Sequence, residues 1–296
     1  MNDWASRALE ALENNEPAAL VSVLAIEGSA PREAGARMLV TETVSVGSIG
    51  GGNLEFQAIL QARKALSEVP GEWRIQDYPL GPFLQQCCGG RVRLLIERLE
   101  PGQAGWIAAA GAPGQHRLET SLVAGKLARR FVESSEIPPI GARGTIPAAG
   151  ERMLEVFGMP LTPLLLFGAG HVGRAIARIV DGLPFTLSWH DEREGGIRAD
   201  MAELARQATG AVLIMTHDHG LDYELTAAAL AGRAQFIGLI GSATKRARFR
   251  KRLASEGFDE AALDRVICPV GLPGIVGKAP EVIAVAVAAQ LLSCAF

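Results

Sequence analysis

One stretch constrains the fold of this chain more than any other: PLLLFGAGHVGRAIARIV, residues 163–180. An apolar strand runs straight into Gly168-x-Gly170-x-x-Gly173, and the last glycine already lies within a helical pattern. That context, more than the glycines themselves, marks a Rossmann-type turn. Gly168 permits the tight turn, Gly170 lets backbone N–H groups approach a pyrophosphate, and Gly173 lets helix and strand pack closely. The helix N-terminus favours an anion. Asp191 follows at the end of a second strand, where an acid can bind a ribose hydroxyl. The pattern points to a phosphate-bearing ligand without specifying NAD(P), because a fold does not fix a function.

The rest of the carboxyl-terminal half fits that turn. LLLFG (164–168), FTLSWHD (185–191), AVLIMT (211–216), FIGLIG (236–241) and VICPVG (266–271) are apolar runs rich in β-formers. Helical patterns at 171–181, 200–207, 222–231, 244–256 and 280–294 separate them. Strands alternating with helices predict a parallel sheet covered on both faces. The amino-terminal part reads as a helix at 3–14, strands at 18–27, 36–41 and 44–50, a helix at 53–66 and a strand at 91–99. The predicted class is α/β: a small N-terminal α/β domain (1–100), a connecting region (101–160), and a Rossmann-like parallel-sheet domain (161–296). In the middle region turn residues outweigh periodicity.

A chain of 296 residues can bury two cores. Its net charge of −3 gives no global field favouring nucleic acid or an anionic membrane. The apolar segment 282–295 falls short of the about 20 residues that span a bilayer. The start lacks a basic region leading into an apolar block, so no signal peptide is expected. Cys268 and Cys294 stand singly, without a CxxC pair or a spaced disulfide framework. That usage suits a reducing compartment, and the expected location is cytoplasmic.

Several turns offer candidate site residues. Gly28-Ser29-Ala30-Pro31-Arg32 presents an arginine suited to a planar oxyanion or a phosphate. Gly50-Gly51-Gly52 leads into Asn53 and Glu55 at a helix start, which reads as an anion nest or as ordinary turn and cap geometry. Thr216-His217-Asp218-His219 offers two histidines as metal ligands or as an acid/base pair, against a polar turn in which Asp218 caps locally. In GSATKR (241–246), Ser242 or Thr244 can cap a helix beside Lys245 and Arg246, forming an anion site or a solvated basic face. QQCCGG (85–90) sets Cys87 and Cys88 against a glycine turn. Neighbouring side chains on an extended segment face apart, which argues against one ligand shared by both thiols. Cys88 abuts Gly89 and Gly90, whose N–H groups can lower a thiol pKa; the competing reading is an inert buried cysteine.

These elements occur together in a familiar order. GSAPREAGARML, GSIGGGNLE and LGPFLQQCCGGRVRLLIE closely resemble the amino-terminal domain of xanthine dehydrogenase accessory proteins, the XdhC and CoxI family. LLLFGAGHVGRAIA, SWHDER, THDHGLDYEL, GLIGSATKRARF and CPVGLPGIVGKAPEVIAVAVAAQLL resemble its Rossmann domain. Asn53 stands where the CoxI-like branch often carries cysteine, and QCCGG is similar to the XdhC branch. Ala30 and Ala279 depart from residues frequent in the family.

The resemblance implies a chaperone for the molybdenum cofactor (molybdopterin), and not an enzyme in its own right. Such a protein binds the cofactor, supports exchange of a terminal oxo ligand for sulfide by a cysteine desulfurase, and delivers it to the molybdenum subunit of apo xanthine dehydrogenase in purine catabolism. Cofactor biosynthesis proteins and a second copy in a homodimer are the other implied partners. Under this reading Cys88, with Cys87, lies at the molybdenum or sulfur end, and Gly168, Gly170 and Gly173 lie near phosphate. Arg32, Gly51, Gly52, Asp191, Ser242 and Lys245 complete the expected binding set. An NAD(P)-dependent oxidoreductase, with Asp191 on the ribose and His217 or His219 as acid/base, is the alternative, followed by a nucleotide-sensing regulator.

Overall fold

A computed structural model describes residues 3–81, 89–294 and 296, which fall into two compact units, 1–160 and 161–296. In the first unit α1 (Asp3–Glu13) precedes β1 (Ala19–Glu27), β2 (Arg37–Val40), β3 (Ser45–Gly47), α2 (Gly52–Ala65), β4 (Trp73–Pro79) and β5 (Arg91–Arg98). The five strands form an antiparallel sheet in the order β3-β2-β1-β5-β4. Alternation along the strands sends Val21, Val23, Met38, Leu94 and Ile96 to one face, where α2 covers them with Leu54, Ala58 and Ala62.

The other face is covered by α1, through Trp4, Ala5 and Ala8 on Leu20 and Leu39, and by residues of the stretch expected to be a connecting region. Residues 101–160 carry α3 (Ala104–Ala110) and a three-stranded antiparallel sheet of β6 (His116–Val123), β7 (Lys126–Phe131) and β8 (Arg152–Phe157), in the order β7-β6-β8. Leu122, Leu127 and Met153 of this sheet pack on Leu24 and Leu95 of the first. The pattern was hard to read because β6 and β7 alternate apolar residues with charge, and because charged groups cross the buried layer. Arg129 makes a bidentate pair with Glu97 at 2.6 and 2.8 Å, with both side chains at most 3% exposed. Arg37 pairs with Glu155 at 3.2 Å, and Thr120 donates to the same carboxylate at 3.1 Å. The guanidinium of Arg129 also lies 4.1 Å from the Trp106 ring centroid, and that of Arg37 lies 3.9 Å from the Phe157 centroid.

The second unit comprises β9 (Thr162–Phe167), α4 (His171–Val180), β10 (Phe185–His190), α5 (Arg198–Gln207), β11 (Ala211–Ile214), α6 (His219–Ala231), β12 (Phe236–Leu239), α7 (Ala243–Ser255), α8 (Glu260–Asp264), β13 (Val266–Ile267) and α9 (Pro280–Ser293). Its sheet is parallel throughout, in the order β10-β9-β11-β12-β13. Leu164, Leu166, Ala211 and Leu213 face α4 and α9, while Phe167, Val212 and Ile214 face α5, α6 and α7. Both faces are therefore buried, which explains the unbroken apolar runs in the sequence. The strand order reverses between β9 and β11, and their carboxyl ends form the place where doubly wound sheets bind ligands. Among the described residues, no helix is long and apolar enough to cross a membrane.

The inter-sheet ion pair of the first unit gives a direct expectation. Glu97→Ala leaves Arg129 charged and buried without its carboxylate, and should lower the unfolding free energy by about 3–5 kcal/mol in urea denaturation followed by tryptophan fluorescence. Replacing the pair together, Glu97→Leu with Arg129→Met, should recover most of that loss. A loss below about 1 kcal/mol for Glu97→Ala would place the pair in effective contact with water.

Candidate functional site

At the carboxyl end of β9 the chain turns at Gly168, whose φ of 117° disfavours any side chain. A Cβ there would lie 2.3 Å from the Met215 carbonyl oxygen, so the turn sits directly on the loop after β11. A Cβ at Gly173 would lie 2.1 Å from the Gly168 carbonyl oxygen, which presses α4 against the turn. Gly170 differs: among the described residues, a Cβ there would meet nothing within 4 Å, and no side chain caps the first turn of α4. Two of the glycines thus serve packing, and Gly170 leaves the start of α4 open.

The groups around this turn are largely engaged with one another. Asp191 follows β10 as expected, but its carboxylate points back into the turn. Oδ2 accepts from the Ala169 N–H and from Arg193 Nη2 at 3.1 Å, and Oδ1 accepts from the Arg193 N–H at 2.8 Å and Nε at 3.2 Å. The Arg193 guanidinium, helped by the N–H groups of Ala169 and Arg193, holds the Asp191 carboxyl down to about 2 against the opposing effect of burial. Trp189 Nε1 donates to the Gly168 carbonyl at 3.0 Å, fixing the same turn from its other edge.

Asp222, fully buried on α6, organises the loop after β11. Its Oδ1 accepts from the Thr216 N–H at 3.0 Å and the Thr216 hydroxyl at 2.7 Å, and its Oδ2 pairs with Lys245 Nζ. Lys245 also donates to the Ile240 carbonyl at 3.0 Å, and its side chain is only 10% exposed. The expected role of Lys245 at an open anion site is therefore corrected: a buried carboxylate needs a counter-charge, and this ammonium supplies it. Ser242 caps α7 by accepting from the Lys245 N–H at 3.3 Å.

Asp218 caps α6, accepting from the Gly220 and Leu221 N–H groups at 2.6 and 3.3 Å, and pairs with Arg198 at 2.5 Å. Arg198, together with those N–H groups, holds this carboxyl down to about 2. His217 and His219 are exposed, and His219 Nδ1 lies 3.4 Å from Arg248 Nη2. Among the described residues, no three His, Cys, Asp or Glu side chains come together to hold a metal ion.

In the first unit the three glycine-bearing turns meet at one end of the sheet. A Cβ at Gly90 would lie 2.3 Å from the Ser29 carbonyl oxygen and 2.5 Å from that of Glu27. One at Gly50 would lie 2.3 Å from Pro31 Cγ. The chain entering β5 is thereby pressed against the Gly28–Arg32 turn, and that turn against the triple glycine. The triple glycine is not an open nest, because Glu55 Oε2 accepts from the Gly51 N–H at 2.9 Å, the Ile49 N–H at 3.3 Å and the Ser48 hydroxyl at 2.8 Å. Gly52 is the first residue of α2. Arg32 is half exposed, 3.9 Å from Glu33. Cys87 and Cys88 lie outside the described residues. Burial pushes the thiols of Cys268 and Cys294 up, away from the reactive thiolate.

Sequence reasoning missed Thr216, Asp222, Arg193 and the inward use of Glu55. Asp222 did carry a signal: an acid within LDYELTAAALA, a helix whose other residues are mostly apolar, needs a buried partner.

Asp191 ties stability to pH. Its folded-state pKa lies below the ordinary Asp value, so its contribution of about 2 kcal/mol is complete above about pH 4 and disappears as pH falls through about 2. Urea unfolding of wild type and Asp191→Asn across this range should show a stability gap that closes on acidification. A gap independent of pH would contradict the Arg193 clasp.

Comparison with known proteins agrees with this architecture. A model of the XdhC Rossmann domain matches residues 164–291, and a model of the XdhC and CoxI family matches residues 11–79. No curated protein matches. A crystal structure described as a xanthine dehydrogenase from Bacillus halodurans is similar in fold, with a TM-score of 0.72 at 22% identity, over 99% of this chain and 95% of that one. The two family matches fall one in each unit and together span about two thirds of the sequence, and the chain belongs to the XdhC and CoxI family.

Proposed function

We propose that this protein is an accessory factor in the maturation of xanthine dehydrogenase, which binds the molybdenum cofactor as cargo, supports its sulfuration by a cysteine desulfurase and hands it to the apo-enzyme. Family membership supports the accessory role. The observation that carries cofactor binding is the start of α4. It is a ten-residue helix with no side-chain cap among the described residues, preceded by a glycine with open space where a Cβ would stand. Free N–H groups at a helix N-terminus suit the phosphate of a pterin cofactor.

In the first unit, the turn at 28–32 is held against Gly90, two residues after Cys88, and Gly50 of the triple glycine is held against Pro31 of that turn. A soft thiolate suits molybdenum or a sulfur in transit, and Cys88, with Cys87, is the candidate for it. Arg32, half exposed in the same turn cluster, is the candidate for an oxyanion of the cargo.

Pterin fluorescence retained by the full chain after gel filtration, measured with added molybdenum cofactor, tests the reading. Wild type should retain the cofactor. Gly170→Asp, which sets a carboxylate at the start of α4, should weaken retention by at least about tenfold. Cys88→Ala should bind cofactor but deliver it to apo xanthine dehydrogenase without restoring activity. Failure of wild type to retain pterin sinks the cofactor reading; active delivery by Cys88→Ala sinks the cysteine role alone.

A further inference from the structure

A Rossmann turn ending in an acid after the second strand is the arrangement that binds a dinucleotide through its adenine-side ribose, and NAD(P) is the ligand this fold suggests first. The residues present do not fit it. A ribose diol needs a carboxylate with accepting capacity turned outward. A carboxylate has about four lone-pair sites. Here Asp191 receives the Ala169 N–H and three donors from Arg193, and its side chain is 2% exposed. The segment after it turns back on the Asp191 backbone. The Gly196 N–H donates to the Asp191 carbonyl at 3.0 Å, and a Cβ at Gly196 would lie 2.9 Å from that oxygen.

The open and closed sides of the turn are thus unequal. Space remains beside Gly170, at the start of α4, where a phosphate would sit. The side where a ribose would sit is taken up by Asp191 and covered by Arg193, whose own side chain is 52% exposed. The arginine therefore lies over the carboxylate from the solvent side and can be removed without opening the core.

We propose that Arg193 is a specificity-determining residue: by clasping Asp191 it closes the ribose side of the glycine turn, so that the turn accepts a phosphate monoester or pyrophosphate and excludes nicotinamide dinucleotides. The inference rests on reading the start of α4 as the anion-binding element. It adds the identity of the group that selects among anions. Arg193 acts through Asp191, and is in that sense a positioning residue for the turn.

The test uses the full chain, with NADH and NADPH as fluorescent probes and inorganic pyrophosphate as the small anion. Wild type should show no saturable NADH or NADPH binding below about 1 mM. Arg193→Ala removes two of the four donors on Asp191, leaving the backbone N–H groups of Ala169 and residue 193, and should bind NADH at least about tenfold more tightly than wild type, with pyrophosphate affinity changed less than about twofold. Arg193→Met, which keeps an unbranched apolar stem but has no donor for the carboxylate, serves as the second variant and should show the same gain.

Sub-millimolar NADH binding by wild type, or no gain in either variant, overturns the proposal. So does tight NADPH binding by wild type that Arg193→Ala abolishes, since the guanidinium would then be a ligand for the 2′-phosphate. Wild type that binds neither pterin nor pyrophosphate would refute the anion-binding reading of α4 and leave the NADH comparison between wild type and variants as an independent result.

Discussion

The carbonyl of Gly168 occupies the volume that a Cβ on residue 173 would need, and the carbonyl of Met215 occupies the volume that one on residue 168 would need. These two backbone contacts stack the start of α4, the turn after β9 and the loop after β11 into one column. Backbone can approach backbone this closely only where there is no side chain. Once the column is set, the position of every polar group near it follows. Trp189 reaches the Gly168 carbonyl, Asp191 reaches the Ala169 N–H, and Thr216 falls within reach of Asp222.

The first unit uses the same device in a different fold. Gly90 lies against the Ser29 and Glu27 carbonyls, and Gly50 against Pro31, so turns far apart in sequence are held at one end of an antiparallel sheet. What holds the sheet behind them is not apolar contact alone. The Arg129–Glu97 and Arg37–Glu155 pairs bridge its far face to the second sheet, with the rings of Trp106 and Phe157 against the guanidinium planes. A buried pair of this kind contributes little net stability against an apolar replacement, but it penalises any register that separates the partners. It thereby specifies how the two sheets meet.

That distinction explains which parts of the molecule could be read from sequence. The parallel sheet was legible because strands buried on both faces must be apolar throughout, and the helix limits of α4, α6 and α7 follow from Gly170, Asp218 and Ser242 at their starts. The sheet of residues 116–157 was not, because its buried face carries Thr120, Arg129 and Glu155, which read as surface residues until their partners in another sheet are known. The site residues divide in the same way. The glycines and the cap at Ser242 depend on local geometry, which sequence encodes directly. The roles of Lys245, Glu55 and Asp191 depend on which opposite charge or N–H group stands nearby, and only the fold decides that.

The common thread in these three residues is that groups suited to a ligand are satisfied internally. Glu55 takes the Gly51 N–H of the triple glycine, Asp222 neutralises Lys245, and Arg193 with Ala169 saturates Asp191. A ligand that needed any of them would have to break an existing charge-assisted hydrogen bond before making its own, and such an exchange is close to neutral at best. Binding energy is therefore available where the protein has left donors without side-chain partners of its own, and the uncapped start of α4 beside Gly170 is such a place in the second unit. A turn arranged in this way discriminates less by what it offers than by what it has already taken. On the proposed reading, an anion that asks only for N–H groups would enter without displacing anything, whereas a ligand that also requires a carboxylate for its ribose would first have to displace Arg193.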